Sequence, residues 1–270
     1  MRKLVLPVLS GLIITVLAAV ACAGPEPDSD PVPDTNTNTN TNTNTNTNTN
    51  TNTDRQQGLR EQLQKTFPNS QITDVRKTPV KGMYEVSIGS EIGYVSEDGK
   101  YLLHGDLIEL GTQKNLTETR RGTARSQMLA KIGEKDMIVF SPRNPKHTVT
   151  VFTDIDCGYC RLLHKEMKGY QEQSIAIRYV FFPRAGLNSE SARKADAVWC
   201  AKDRRDALTR AKQGESLPAG QCKTPVARHY QAGLEVGVRG TPAIITEDGR
   251  MIPGYQPPAE LLKTLEKTGS

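Results

Sequence analysis

Aromatic residues make up only 5% of this chain, which has one tryptophan and four histidines. Cationic residues are dispersed rather than clustered, although the formal net charge is +5, so no nucleic-acid footprint is visible. After the N-terminal leader no further apolar run is long enough to span a membrane. There is no second Cys-x-x-Cys to complete a four-ligand zinc site. These absences exclude a nucleic-acid-binding module and a polytopic membrane protein, and leave the one Cys-x-x-Cys as the main chemical signal.

That motif is Cys157-Gly158-Tyr159-Cys160. The residues before it, His147 to Asp154, alternate and β-branch like a buried strand. The residues after it, Arg161 to Met167, space their apolar side chains as on one helix face. A helix N-terminus offers free N–H groups and partial positive charge, which stabilise a thiolate on the first cysteine. The second sulfur can then reach back to a mixed disulfide on the first. This pattern predicts a thiol–disulfide oxidoreductase that needs no metal and no organic cofactor.

At the N-terminus Arg2 and Lys3 precede an apolar run from Leu4 to Ala21, as in a secretory signal covering residues 1–21. Ala18-Ala19-Val20-Ala21-Cys22 resembles a bacterial lipobox, with Ala19 where a larger aliphatic residue is usual. An ordinary cleavage site after Ala19-Val20-Ala21 fits as well. Lipidation of Cys22 explains the odd total of five cysteines, because it leaves Cys157–Cys160 and Cys200–Cys222 as pairs. Residues 22–54 begin rich in Pro and acidic residues and become a Thr-Asn repeat from Thr35 to Thr53. With no apolar surface to bury, this segment is expected to be a disordered tether. Its repeat holds no Asn-x-Thr sequon.

Roughly 215 residues remain, enough for two small domains or one larger one. Residues 55–113 read as a helix at 59–67 ended by Pro68, then strands at 72–78, 83–88, 91–96 and 101–108. Asp98-Gly99 marks a hairpin turn between the last two. This region has no cysteine, and His104 is given no role, so it reads as an assembly or binding module. Residues 114–136 read as a connecting helix. Residues 137–270 follow the order β-α-β, helical insertion (189–213 and 223–236), β-β-α, which is that of a thioredoxin fold with an enlarged helical section. The fold class is therefore α+β.

Pro242, in Gly240-Thr241-Pro242-Ala243, directly precedes a buried strand where its missing N–H is costly, and a cis peptide would account for it. With Cys-x-x-Cys upstream, Thr241 and Pro242 become candidates for substrate docking; an ordinary strand-entry proline is the alternative. Cys200 and Cys222 read as a structural staple closing a loop of about 22 residues, worth roughly 3 kcal/mol. A second catalytic couple is the alternative there. Trp199, Tyr230 and Tyr255 read as core or rim aromatics.

The chain resembles the DsbC/DsbG family of bacterial periplasmic disulfide isomerases. The likeness runs through Val151 to Cys160, Phe182 to Leu187, Trp199 to Asp203, Gly240 to Ala243 and Pro253 to Pro258. It extends more loosely to Tyr94–Lys100 and Asn115-Leu116-Thr117. The resemblance implies a V-shaped homodimer: a cystatin-like dimerisation domain at 55–113, a linker helix at 114–136, and a catalytic thioredoxin domain at 137–270. It further implies Cys157 as nucleophile, Cys160 as resolving thiol, Thr241 and Pro242 as the docking loop, and Cys200–Cys222 as the structural bridge. Misfolded disulfide-containing exported proteins would be the substrates and a DsbD-type membrane reductase the electron source. One departure is Asp156, where the family carries a small hydroxyl residue; a carboxylate there is expected to oppose the thiolate unless Arg161 turns inward to compensate. Rival readings are a DsbG-like sulfenic-acid reductase, a periplasmic holdase chaperone, and a copper-handling thiol protein, for which only His164 and Met167 stand near the thiols.

Overall fold

Residues 47–88 and 91–267 are described, from a computed structural model. The leader, Cys22 and the tether up to residue 46 lie outside the described residues.

Leu59 and Leu63, one turn apart, bury the face of a helix α1 (Thr47–Thr66) against Ile72, Val75, Tyr84, Val86 and Val95. The helix starts at Thr47, not at residue 59, so residues 47–54 belong to it rather than to the tether. Once the buried turn has met the cost of nucleation, propagation back through polar residues adds one hydrogen bond per residue. Beneath α1 lies an antiparallel meander of β1 (Ile72–Lys77), β2 (Met83–Ile88), β3 (Glu91–Ser96) and β4 (Leu102–Leu103). The β3–β4 turn forms at Asp98-Gly99, with Gly99 at a φ of 71° and Asp98 Oδ1 accepting from Lys100 N.

The fourth strand is not the single run expected over 101–108. It breaks after Leu103, and β5 (Ile108–Glu109) pairs instead with β6 (Lys114–Asn115). Competing partners explain the break: Leu107 N donates to Thr117 Oγ1, Leu107 O accepts from Leu116 N, and Asp106 is held by Asn115 and Arg121.

Asn115 caps the linker helix α2 (Leu116–Ile132) by accepting from Glu118 N. Arg120 ties its first half to the meander through Glu85 (2.9 Å) and Asp74 (3.1 Å). Its second half is seated on the following domain. Arg125 donates to the carbonyls of Val236 and Gly249, and Ser126 to that of Glu247. The contact is backbone on backbone: a Cβ on Gly122 would meet Asp248 O at 2.9 Å, and one on Gly249 would meet Gly122 O at 1.9 Å.

The remaining elements are β7 (Ile138–Phe140), β8 (His147–Thr153), α3 (Gly158–Lys165), α4 (Met167–Glu172), β9 (Ile175–Phe181), α5 (Glu190–Cys200), α6 (Arg204–Lys212), α7 (Val226–Glu235), β10 (Ala243–Ile245), β11 (Met251–Pro253) and α8 (Pro258–Glu266). Their sheet has the order β11-β10-β8-β9-β7, and β8 and β9 are parallel. Period-two alternation covers both faces. Val149 and Val151 join Ile175, Ile177 and Tyr179 on one side, while Phe152 joins Val180 and Phe182 on the other. The edge strand β7 was not expected from the sequence; it is a three-residue apolar run without alternation, and its pairing with β9 is what makes it a strand.

Candidate active site

Cys157 is the N-cap of α3, with extended backbone (φ −79°, ψ 123°) at the end of the short turn leaving β8. Both thiols are free and recessed, Cys157 being 2% and Cys160 1% exposed. Within the motif Tyr159 is 66% exposed, and Leu162 on the next turn of α3 is also exposed. The two sulfurs have opposite acidities. Hydrogen bonding from Cys160 is the largest influence on Cys157 and, helped by the charge of Arg184, brings it down to about 5 despite burial. Burial pushes Cys160 well above the usual thiol range, and its bond to Cys157 pushes it further.

The structure brings Thr241 and Pro242 to this dithiol. The Thr241–Pro242 peptide is cis, and Cys157 Sγ donates to Thr241 O at 3.2 Å. Hydrogen bonding with Thr241 is a further influence that lowers Cys157, after that of Cys160. Thr241 Oγ1 is buried and has no hydrogen-bond partner among the described residues. Beside this loop lies a cavity of about 350 Å³ lined by Gly240, Thr241, Pro242, Met251, Pro253 and Gly254.

Three side chains that the sequence did not single out organise the turn. Asp154, 3% exposed, accepts from Ser191 Oγ, from the Arg184 backbone and guanidinium, and from Asp156 N. Burial opposes its charge, but these donors together hold it below the usual carboxylate range. Asp154 thereby fixes Arg184, whose positive charge acts on Cys157. Lys212 is the third; it is buried at the end of α6 and donates to Thr153 Oγ1 at 2.9 Å. An Asp three residues before the Cys–X–X–Cys motif was visible in the sequence, but its side-chain partners, Arg184 and Ser191, lie 30 or more residues away in the chain.

Asp156 is engaged elsewhere. Its carboxylate accepts from Arg161 at 3.1 Å and Lys194 at 2.9 Å, so two cations share the charge expected to oppose the thiolate. Cys200 and Cys222 form a disulfide that closes the segment containing α6. Trp199 is buried, with the Arg204 guanidinium 3.7 Å above its ring. Tyr230 stacks on Phe182, and Tyr255 donates to Glu166. His104 lies exposed beside Glu91. The His164 ring nitrogens meet Tyr179 and Thr209 rather than a thiol.

A family model described as a thioredoxin-like domain matches residues 133–269, and one described as a disulfide bond isomerase protein N-terminal domain matches residues 45–118. The thiol:disulfide interchange protein DsbC of Dickeya dadantii is 39% identical over 196 residues, which is 73% of this chain and 81% of that one. Its namesake in Haemophilus influenzae is 43% identical over 198 residues, 72% of this chain and 83% of that one. A solved disulfide interchange protein from Neisseria gonorrhoeae is 31% identical, with a TM-score of 0.45, and covers 50% of this chain and 96% of that one. Two-domain matches in one chain, and relatives matched over more than four fifths of their length, lead to one conclusion: the chain belongs to the DsbC family of thiol:disulfide interchange proteins.

Proposed function

We propose that this chain isomerises and reduces wrong disulfides in exported proteins, with Cys157 as nucleophile and Cys160 as resolving thiol. The observation that carries this assignment is the placement of one recessed, free dithiol at the start of α3, with Cys157 as the N-cap facing the Thr241–Pro242 loop and Cys160 buried in the first turn. The Cys157 thiolate attacks a substrate disulfide and forms a mixed disulfide. A substrate thiol then resolves it into a new pairing, or Cys160 attacks it and releases reduced substrate. The cis Thr241–Pro242 loop and its cavity suit an extended substrate segment, which would dock through backbone groups and apolar contacts.

Residues 55–113 act as the dimerisation module, 114–136 as the linker and 137–270 as the catalytic domain. The exposed apolar row Tyr101, Leu102, Leu103, Ile108 and Leu110 along the meander edge supports pairing with a second copy. The leader and Cys22 support export to the periplasm and a lipid anchor, with a DsbD-type membrane reductase keeping the dithiol reduced. Mass spectrometry of the N-terminal peptide tests the anchor: an unmodified Cys22 removes it.

The experiment for the activity is reactivation of a scrambled multi-disulfide protein in glutathione buffer, comparing the protein with Cys157→Ser. Reactivation by the parent and none by the variant is the expected result. A folded, reduced parent that reactivates nothing would replace isomerisation with sulfenic-acid reduction or client holding.

A further inference from the structure

Lys212 has no role in the exchange chemistry so far. It ends α6 at 4% exposure, donating to Thr153 Oγ1 at 2.9 Å and to the Asp154 carbonyl at 3.4 Å, on the backbone that leads into the dithiol turn. Its Nζ lies 5.6 Å from the Tyr179 ring centroid. The titratable groups facing it are Cys157, Cys160, Arg161 and His164 from the dithiol helix, Asp154 from the turn and Tyr179 from β9. Among the described residues no carboxylate pairs with it, since Asp154 gives its side chain to Ser191 and Arg184. A buried ammonium without a counterion is costly. Of the anions near it, the Asp154 carboxylate is already committed to Ser191 and Arg184, and the others are the thiolates of Cys160 and Cys157.

A second observation concerns the route for a proton. Lys212 lines a cavity of about 500 Å³ together with Phe140, Arg161, His164, Thr209 and Gln213. One end of the lysine environment is therefore the dithiol, and the other is a space that water can enter.

We propose that Lys212 is the acid–base partner of Cys160, taking its proton as Cys160 attacks the mixed disulfide and passing it to water through this cavity. The inference rests on the assignment of Cys157 as nucleophile and Cys160 as resolver. In the step, neutral Lys212 accepts the Cys160 proton and becomes an ammonium. The Cys160 sulfur bonds to Cys157 Sγ, and the bond between Cys157 and the substrate sulfur breaks. The electron pair leaves on the substrate thiolate, which is protonated by solvent. The enzyme dithiol is oxidised by two electrons and the substrate disulfide is reduced by two. Burial brings Lys212 down to about 8, against the opposing pull of the thiols, so it can exchange a proton near neutral pH. Burial raises Cys160, so without a base its thiolate would be scarce.

The test follows two chromophore releases from 5,5′-dithiobis(2-nitrobenzoate) by the full chain carrying Cys22→Ser. Attack by Cys157 liberates the first thionitrobenzoate, and resolution by Cys160 liberates the second. Lys212→Met is expected to slow the second release at neutral pH by about tenfold or more and to move its rising pH limb upward. Lys212→Arg keeps a cation that cannot give up its proton and is expected to slow it likewise. The first release, compared between Lys212 and Lys212→Met in one Cys160→Ser background, should change by less than about threefold, because the serine hydroxyl can still donate to Cys157 and Lys212 is not among the main influences on that sulfur. A second release as fast in Lys212→Met as in the parent overturns the proposal. So does full rescue by Lys212→Arg, which would leave only a fixed charge. Where the arginine does not fold, the methionine, which suits a buried site, decides alone. Absence of the first release in the parent would instead remove the assignment of Cys157 itself.

Discussion

Cys157 and Cys160 share one turn of helix and are equally hidden, yet one is held as a thiolate and the other as a thiol. Hydrogen bonding from Cys160 is the main cause of the low value at Cys157, so the split belongs to the pair. Alkylation of Cys157 by iodoacetamide should stay level from pH 8 to about pH 6 and fall only near pH 5. Because this acid is depressed in the folded protein, its contribution to stability is present above the unfolded thiol value of about 8.5 and is lost as pH falls through about 5. Asp156→Thr should move the alkylation midpoint by less than about half a unit, because Arg161 and Lys194 already neutralise that carboxylate. A larger shift would restore Asp156 as a moderator of the nucleophile. The dithiol and the proline loop were legible because their chemistry is written in adjacent residues. Lys212 was not: among Arg204, Arg205 and Arg210 it reads as one more solvated cation, and only the folding of α6 under the dithiol turn buries it.

Among the elements, the meander edge bears the clearest consequence. β4 ends after two residues, and the apolar side chains around it find no cover, with Leu110 81% exposed. Replacing Leu103 and Leu110 together by Glu should convert a dimer to a monomer in sedimentation, with the catalytic domain still folded. A parent that sediments as a monomer would remove the dimer instead. The strands of this region were readable from alternation and from Asp98-Gly99. The break after Leu103 was not, since it depends on Thr117 and Asn115 claiming backbone and side-chain groups around Leu107 and Asp106 from across a loop. The early start of α1 was equally hidden, because a Thr-Asn repeat has weak helix propensity of its own.

At the scale of the whole molecule, two interior histidines add to the response to acid. His164 and His229 are both brought down to about 4, chiefly by burial, and His229 Nδ1 accepts from Phe181 N. Both are neutral in the fold, so their contribution is intact above the unfolded value of about 6.5 and declines as pH falls from there towards 4. The thermal midpoint should therefore drop across that window, with each histidine costing up to roughly 3 kcal/mol at its lower end. A midpoint that stays flat to pH 4.5 would contradict this. The touching backbones of Gly122 and Gly249 have a different kind of consequence. With Arg120 clamped to the meander near its start, Gly122 seated on the Asp248-Gly249 turn and Ile132 buried in the catalytic core at its finish, α2 is anchored at both ends and behaves as a strut about 25 Å long. In a dimer, two such struts would set the spacing between the dithiols, making it a gauge of which clients both catalytic centres can touch at once.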